Sequence, residues 1–229
     1  MLPTETVSAL IVGVGDGLSA SLARKLAARG TRLGLAARNI GKLADLAAAT
    51  RAEAFMCDAA DPASVERLFA SFPAANIVIY NPSARVRGPI AELDPAQVAN
   101  ALAVSAYGGV LVGQQAARAM LPRERGTILF TGASASIKGY AQSAAFAMGK
   151  FALRGLAQSM ARELHPRGIH VGHIVIDGAI RSARYPEPAD APASLLDPDA
   201  VADAYLALID QPRSAWTHEI ELRPWTERF

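Results

Sequence analysis

Seven short apolar runs, separated by longer stretches of helical period, dominate this sequence. The runs are rich in aliphatic and β-branched residues, which is typical of strands buried on both faces of a sheet. The stretches between them repeat apolar residues every three or four positions, as amphipathic helices do. This alternation predicts βαβ units around a parallel sheet. The predicted strands are Ser8–Gly13, Arg32–Ala37, Glu53–Cys57, Asn76–Tyr80, Thr127–Gly132, Ile169–Ile176 and Glu219–Arg223.

Predicted helices fill the intervals, among them a long one over Pro95–Met120 and others from about Ala141 to Leu164 and from Asp197 to Ile209. Because crossovers between parallel strands are right-handed, the helices cover both faces. We therefore expect an α/β fold: a Rossmann-type, doubly wound, seven-stranded parallel sheet forming a single domain over residues 1–229. Ligands of such sheets bind beyond the carboxyl ends of the strands, so candidate functional residues are sought there.

Composition and charge exclude several classes of function. The net charge is +2 with both signs interspersed, which leaves no basic patch for nucleic acid. A single cysteine, Cys57, excludes an internal disulfide. His170 and His173 lie three apart on a predicted strand, so their side chains face opposite sides of the sheet. We therefore expect that they do not bind one metal ion together. No apolar run has the length of a membrane span, and MLPTETVSAL does not resemble a signal peptide. We expect a cytoplasmic protein without membrane or metal.

A glycine turn joins the first predicted strand to the first predicted helix. Gly13, Gly15 and Gly17 stand at this junction. Glycines there let the backbone approach a pyrophosphate, which the amides and dipole of the helix amino terminus then bind. The alternative is an ordinary strand-to-helix turn, but the position after the first strand favours nucleotide binding. Asp16 is expected to point to solvent or to cap the helix.

The end of the second predicted strand indicates which nucleotide is bound. Arg38 follows this strand, and no carboxylate is present there to accept a hydrogen bond from a ribose 2′-hydroxyl. An arginine at this place suits a 2′-phosphate, so NADP is favoured over NAD. The alternative for Arg38 is a solvated surface charge. Asp58, after the third strand, is a candidate acceptor for the adenine amino group or a turn residue, and both interpretations stay open.

An aromatic ring and a lysine four positions apart stand in the segment SAAFAMGK. On a helix, Phe146 and Lys150 share one face. Taken alone, such a pair is commonly a packed ring beside a solvated lysine. A benzene ring can neither donate nor accept a proton.

Several motifs together resemble the short-chain dehydrogenase/reductase family: the glycine turn, CDAAD, YNPSA, FTGASAS, FAMGK and IDGAI, each following its own predicted element. The resemblance extends over nearly the whole chain. It implies a Rossmann fold, a nicotinamide cofactor, and hydride transfer to or from a small-molecule carbonyl or alcohol. It also implies a homodimer or homotetramer formed through the long middle helices. Gly108 and Gly109 would let two such helices approach closely, and the alternative is that they simply weaken the helix locally.

At the catalytic positions the chain departs from the family pattern. The resemblance assigns the family's lysine to Lys150, but it places Phe146 at the position of the proton-donating tyrosine. The serine position falls on Ala133, and Ser134 can replace it only if the strand end bulges. The asparagine position reads Ser105. Catalytic candidates are therefore Lys150, Phe146, Ser134 and Ser105.

The cofactor-binding positions agree better with the family. Ser19 stands where a last glycine is usual, and Pro82 follows the retained Asn81. The resemblance and the residues together assign the cofactor to Gly13, Gly15, Gly17, Leu18, Arg38, Asp58, Ala59, Asn81, Lys150, Gly178 and Ile180.

Two functions follow from these residues. The first is an NADP(H)-dependent reductase of an unidentified carbonyl or imine, in which proximity to the hydride donor compensates for the missing acid. The second is a nicotinamide-binding protein, a sensor or partner subunit, that has lost the proton relay. Tyr140 and Tyr107 are alternative proton donors, although their spacing from Phe146 and Ser105 does not place them in the tyrosine position.

Overall fold

The computed structural model describes residues 7–227. Residues 1–6 and 228–229 lie outside this description, and they include most of the stretch on which the localisation prediction depends. The strands are β1 Ser8–Val12, β2 Arg32–Ala37, β3 Glu53–Met56, β4 Ile77–Tyr80, β5 Gly126–Thr131, β6 Ile169–Ile176 and β7 Glu219–Leu222. The α-helices are α1 Leu18–Ala28, α2 Ala44–Thr50, α3 Pro62–Ser71, α4 Pro95–Leu102, α5 Gly108–Met120, α6 Ala144–Leu164 and α7 Pro198–Ile209.

All seven strands form one parallel sheet in the order β3-β2-β1-β4-β5-β6-β7. The chain therefore winds outward in one direction from β1 to β3 and in the other direction from β4 to β7. The point where the direction changes lies between β1 and β4, and such switch points open a crevice at the carboxyl ends of the strands. The predicted Rossmann-type, doubly wound α/β fold is confirmed.

The alternation of side chains along each strand builds two apolar layers. Leu10 and Val12 of β1 lie in the layer covered by α3, α5 and α6. Ala9 and Ile11 face the opposite layer, which is covered by α1 and α7. Because the side-chain period of a strand is two, both faces of a central strand are apolar and the strand reads as one continuous hydrophobic run. This is why the central strands are visible in the sequence.

The predicted middle helix is continuous but changes its winding. Between α4 and α5, residues Ala103–Tyr107 form a turn of π-helix, which inserts one residue into the helical register. By length and composition alone, the helical run Pro95–Arg123 could cross a membrane, with a mean hydropathy of 1.3. The sequence analysis found no apolar run of this length. Val112, Ala116 and Met120 of the run are fully buried in the core beside the sheet.

Gly108 and Gly109 do not lie on an exposed helix face, and the prediction that they allow helices of two subunits to approach is wrong. A Cβ on Gly108 would lie 2.6 Å from the carbonyl oxygen of Ala59, and one on Gly109 would lie 2.5 Å from Leu153 Cδ1. Both glycines are buried. Their small size lets α5 pack against β4 and α6 of its own chain.

The turn after β1 is held by a close contact with the end of β4. Gly13 has a φ of +82°, and a Cβ there would lie 2.6 Å from the backbone nitrogen of Pro82. The Asn81 amide donates to Ser19 Oγ at 2.7 Å, and the Ser19 hydroxyl donates to the Gly13 carbonyl oxygen at 3.4 Å. Glycine is required at position 13 both by the backbone conformation and by the space available.

Candidate cofactor and substrate site

Two cavities open at the carboxyl edge of the sheet. The β1 cavity, of about 360 Å³, is lined by residues that follow β1, β2, β3 and β4. The β5 cavity, of about 420 Å³, is lined by residues that follow β4, β5 and β6. The segment after β4 borders both, with Pro82 and Ser83 in the β1 cavity and Arg85 and Arg87 in the β5 cavity. Their position agrees with the expected ligand site of a doubly wound sheet.

The structure brings part of the predicted cofactor set into the β1 cavity: Gly13, Arg38, Asp58, Ala59 and Asn81. Gly17 caps the start of α1 without any side-chain cap, and a Cβ on Gly15 would meet nothing within 4 Å. The amino terminus of α1 is therefore open to an anion, as the glycine pattern predicts. Asp16 is exposed and makes no cap, which fits the first of its two expected roles.

Leu18 differs from its prediction as a cofactor contact. Its side chain is buried in the apolar layer beside α1 and α7, so only its backbone faces the glycine turn. Ile180 lies near the same turn, since a Cβ on Gly17 would lie 3.9 Å from Ile180 Cγ2. Ile180 pairs with Leu196 in an isolated bridge. Gly178 lines the β5 cavity rather than the β1 cavity.

Arg38 is accompanied by a second cation that the sequence analysis missed. Asn39 caps a 3₁₀ turn, Ile40–Leu43, by accepting a hydrogen bond from the Gly41 amide. This turn places the exposed Lys42 beside Arg38 on the wall of the β1 cavity. Two cations at the end of β2 strengthen the case for an anionic group on the ligand. The signal for Lys42 was the Asn39 cap, which bends the chain back toward the cavity.

The Asp58 side chain forms a hydrogen bond within the turn that follows β3. One carboxylate oxygen accepts a hydrogen bond from the Ala60 amide at 3.0 Å, and the Asp58 amide donates to Ser64 Oγ. The side chain is nevertheless exposed and lines the β1 cavity. The structure is thus compatible with both interpretations of Asp58. Ala59 beside it is buried.

Lys150 is buried at the end of β5. Its side chain is 2 % exposed, and Nζ donates to the Thr131 carbonyl oxygen at 2.7 Å. Burial, with a smaller contribution from the nearby Arg85 charge, lowers the pKa of Lys150 to about 7. Nζ lies 5.9 Å from the centroid of the Phe146 ring, so the two side chains do share a face. Lys150 is not among the residues that line either cavity.

Phe146 lies at the wall of the β5 cavity with a cation on its ring. The ring is 8 % exposed and packs in an apolar cluster with Ala133 and Ala135. The central guanidinium carbon of Arg85 lies 4.3 Å from the ring centroid, which is the geometry of a cation–π contact. Tyr140 lines the same cavity, whereas Tyr107 is exposed on the π-helical turn. Tyr140 is therefore closer to the site than its spacing indicated.

Ser134 reaches the β5 cavity by a turn and not by the bulge that the sequence analysis required. Strand β5 continues regularly to Gly132, whose amide donates to the Ile174 carbonyl oxygen at 2.7 Å. A 3₁₀ turn, Ser134–Ser136, then follows. Ala133 and Ser134 both line the cavity. The bulge that the sequence analysis set as the condition for Ser134 is therefore not needed.

A buried hydrogen-bonded chain supports this turn, and the sequence analysis missed it. His173 Nδ1 lies 2.9 Å from Glu219 Oε2, which also binds Arg154, and His173 Nε2 lies 3.4 Å from Ser136 Oγ. Ser136 Oγ in turn accepts a hydrogen bond from the Ala133 amide. Burial lowers the pKa of His173 to about 4, so the ring is neutral at pH 7. These hydrogen bonds fix the backbone of the turn that contains Ala133 and Ser134.

Ser105 holds the segment that separates the two cavities. It is buried in the π-helical turn, and its hydroxyl accepts a hydrogen bond from the Ala84 amide at 3.1 Å. A Cβ on Gly149 would lie 2.8 Å from Ser105 Cβ, so α6 packs closely at this point. Ser105 lines neither cavity. Within residues 7–227 no group of three or more His, Cys, Asp and Glu side chains is arranged to bind a metal ion.

Comparisons with known proteins agree with this geometry. The family model for short chain dehydrogenases matches residues 7–184. A short-chain dehydrogenase from Rhodopseudomonas palustris has a crystal structure that is 36% identical in sequence, with a TM-score of 0.85, over 96% of this chain and 99% of that chain. The chain therefore belongs to the short-chain dehydrogenase/reductase family.

Two further relatives extend this result. An uncharacterized oxidoreductase of Staphylococcus aureus (strain N315) is 25% identical over 226 residues, which cover 94% of this chain and 96% of the relative. A metagenomic short-chain oxidoreductase, whose structure contains NADP, is 25% identical with a TM-score of 0.83, over 95% of this chain and 97% of that chain. The family resemblance seen in the motifs is confirmed, and it is a family of oxidoreductases.

The buried Lys150 makes a pH-dependent contribution to stability that can be measured. Between pH 7 and 10.5 the unfolded chain binds more protons at this lysine than the folded chain, because burial lowers the pKa of Lys150 to about 7. The free energy of unfolding of the native protein should therefore rise with pH relative to that of Lys150→Met. The expected change is roughly 1.4 kcal/mol per pH unit at most.

Chemical denaturation of both proteins at several pH values between 6 and 10 measures this difference. Lys42→Met is the control, since the Lys42 side chain is exposed and should give curves parallel to those of the native protein. Parallel curves for Lys150→Met would mean that the lysine is not buried as a neutral amine.

Proposed function

We propose that this protein is an NADP(H)-dependent oxidoreductase that acts on a small carbonyl or imine compound. The observation that carries this proposal is the β1 cavity, which runs from the glycine turn to the paired cations Arg38 and Lys42. In dinucleotide-binding sheets the pyrophosphate lies at the first turn and the adenosine ribose near the end of the second strand, and NADP bears a 2′-phosphate where NAD has a hydroxyl. The bound nicotinamide would supply or accept the hydride.

The chain's own residues have distinct binding roles in this proposal. The open amino terminus of α1 and the glycine turn bind the pyrophosphate. Arg38 and Lys42 bind the 2′-phosphate, and Asp58 with Ala59 borders the adenine. Asn81 holds the glycine turn through Ser19, while the backbone at Gly178 and Ile180 contacts the carboxamide. Lys150 binds the nicotinamide ribose, which requires its hydrogen bond to the Thr131 carbonyl oxygen to be exchanged for bonds to the ribose hydroxyls.

The proton required for carbonyl reduction must come from a group other than residue 146. We assign Phe146 to the family's tyrosine position, where a ring without a hydroxyl cannot donate. Tyr140 and Ser134 are hydroxyl groups on the wall of the same cavity, and water is a further source. The loss of a general acid typically lowers a rate by about 10²- to 10⁴-fold, which leaves room for an easily reduced substrate.

A second function is supported by a specific observation. Phe146 and Ala133 replace two polar groups of the family and pack together in one apolar cluster. A site filled with hydrocarbon in this way favours a non-catalytic nicotinamide-binding protein, acting as a sensor or partner subunit. Both functions require the cofactor, and they differ only in turnover.

A further part of the proposal is that the protein forms a homodimer or homotetramer through α5 and α6 and is cytoplasmic. Four large apolar side chains of the middle helices are exposed: Tyr107, Val110, Met148 and Phe151. Where such side chains form one contiguous apolar patch, they mark an interaction surface.

Substitution on this surface tests the oligomer. Met148→Glu should shift the protein toward the monomer in light scattering coupled to size-exclusion chromatography, because a carboxylate would be buried without a partner in the interface. Met56→Glu, at another exposed methionine, on the edge strand β3, is the matched control and should leave the mass unchanged. A native protein that is itself monomeric would refute this part of the proposal.

Nucleotide titrations test the cofactor assignment. Arg38→Ala should weaken NADPH binding on the order of 10-fold or more, because it removes charge-assisted hydrogen bonds to the 2′-phosphate, and should affect NADH little. Lys42→Ala should act in the same direction. Isothermal titration calorimetry measures both constants. Equal losses for the two nucleotides would refute the 2′-phosphate assignment, and a native protein that binds neither would refute the function.

Turnover of a panel of aldehydes, quinones and imines distinguishes the two functions. Phe146→Tyr restores a phenol beside Lys150 and should raise kcat for carbonyl reduction by roughly 10²- to 10⁴-fold if proton donation limits the native rate. Detectable native turnover with NADPH supports the oxidoreductase. If the native protein binds NADPH and only Phe146→Tyr turns over, the non-catalytic function is correct.

A further inference from the structure

The segment after β4 carries two arginines into the β5 cavity. Arg85 and Arg87 both line this cavity, together with Ser134 and Tyr140. The segment is anchored on each side of them. The Ala84 amide donates to Ser105 Oγ at 3.1 Å, and the Gly88 amide donates to the Gln142 carbonyl oxygen at 3.1 Å. The two guanidinium groups therefore start from a backbone that is fixed from both ends.

The Arg85 side chain is oriented by the ring that replaces the tyrosine. Its guanidinium carbon lies 4.3 Å from the centroid of the Phe146 ring. A guanidinium group in contact with an aromatic ring keeps N–H groups at its edge available for a second partner, and these donors match the two oxygens of a carboxylate or phosphate. Phe146 thus acts as a support for a cation that faces the cavity.

Neither arginine has an acidic partner within residues 7–227. Other arginines near the site are paired, for example Arg181 with Asp197 at 2.8 Å and Arg154 with Glu219 at 2.6 Å. No Asp or Glu side chain of the described chain lies within 4.0 Å of the Arg85 or Arg87 guanidinium nitrogens.

The cavity does contain two carboxylates, and both have other surroundings. Asp177 is buried, with Lys138 Nζ at 3.7 Å and Arg223 Nη2 at 3.6 Å from its Oδ2. Glu227 is exposed at the rim. Among the described residues, therefore, neither of these carboxylates pairs with Arg85 or Arg87.

Like charges surround Arg85. Desolvation lowers the pKa of the Arg85 guanidinium, and the neighbouring Arg87 and Arg184 lower it further, against an opposing contribution from Tyr185. The Arg85 charge also contributes to the lowered pKa of Lys150. An anion bound at Arg85 would relieve repulsion among these cations and would stabilise the ammonium form of Lys150.

We propose that the β5 cavity binds a carbonyl substrate that carries a carboxylate or phosphate group, and that Arg85, supported by Phe146 and accompanied by Arg87, binds this anionic group. The proposal names the substrate class of the oxidoreductase proposed above and rests on that function for the carbonyl. A cavity of about 420 Å³ suits a small molecule. Arg85 is a substrate-binding residue, and its donors select against uncharged analogues.

Anion binding can be measured without turnover. Isothermal titration calorimetry uses oxamate and inorganic phosphate as anionic probes and oxamide as the uncharged counterpart of oxamate, with and without NADP⁺. Arg85→Gln should weaken binding of whichever anion the native protein prefers on the order of 10-fold or more. Arg85→Lys, which keeps the charge but loses the planar donor pair, should lie between. Arg24→Gln, at an exposed arginine on α1, is the matched control.

Three results would overturn this proposal: native protein that binds neither anion, oxamide binding as tight as oxamate binding, or anion binding unchanged in Arg85→Gln. Because the titrations are also run without nucleotide, they test the proposal even if NADPH does not bind. A preference for phosphate over oxamate identifies a phosphorylated substrate, and the reverse preference identifies an oxo acid.

The kinetic arm compares 2-oxo acids with their methyl esters, and phosphorylated with unphosphorylated ketones, using NADPH. The native protein should prefer the charged member of a pair, and Arg85→Gln should reduce that preference on the order of 10-fold or more by raising KM. NADPH-dependent turnover of esters and acids at equal kcat/KM would refute the substrate class while leaving the oxidoreductase function standing. Failure of the nucleotide titrations above would refute the oxidoreductase function, and with it the carbonyl part of this proposal, while the anion titrations would still test Arg85.

Discussion

The contact between the Gly13 backbone and Pro82 is the constraint on which the site depends. It places the turn after β1 directly against the segment after β4, across the point where the sheet changes direction. Asn81 and Ser19 hold the two together by hydrogen bonds. As a result, one backbone segment shapes both cavities, and a change that moved it would disturb the proposed nucleotide site and the β5 cavity together.

The second cavity is organised by a ring and not by a hydroxyl. The Phe146 ring has the Arg85 guanidinium at 4.3 Å and the Lys150 ammonium at 5.9 Å from its centroid. The face of an aromatic ring carries partial negative charge and attracts cations, although more weakly than a carboxylate does. Phe146 therefore offers its ring face to Arg85, and to Lys150 when that amine is protonated, in a site whose apolar wall, Ala133 included, offers little other compensation.

The sheet could be predicted from sequence because its signals are local: apolar runs mark buried strands, and glycines mark the first turn. Arg38 could be predicted to lie at the ligand site because it follows β2, and the carboxyl ends of parallel strands meet at one edge of the sheet. Two residues were missed for different reasons. Lys42 reaches the cavity through a local 3₁₀ turn whose cap, Asn39, is present in the sequence, whereas His173 meets Ser136 only because β6 pairs with β5, which is a tertiary contact. Gly108 was misassigned since its role depends on which face of the helix is buried.

The cations Lys150 and Arg85 also bear on where an anionic ligand would bind. Burying the Lys150 ammonium beside Arg85 costs free energy, because each charge lowers the stability of the other and desolvation adds to the cost. By contrast, the partly buried Arg154 pairs with Glu219. Within residues 7–227 a carboxylate pairs with Arg154 but none with Arg85, so an anionic ligand bound at Arg85 would offset the repulsion between that guanidinium and a protonated Lys150.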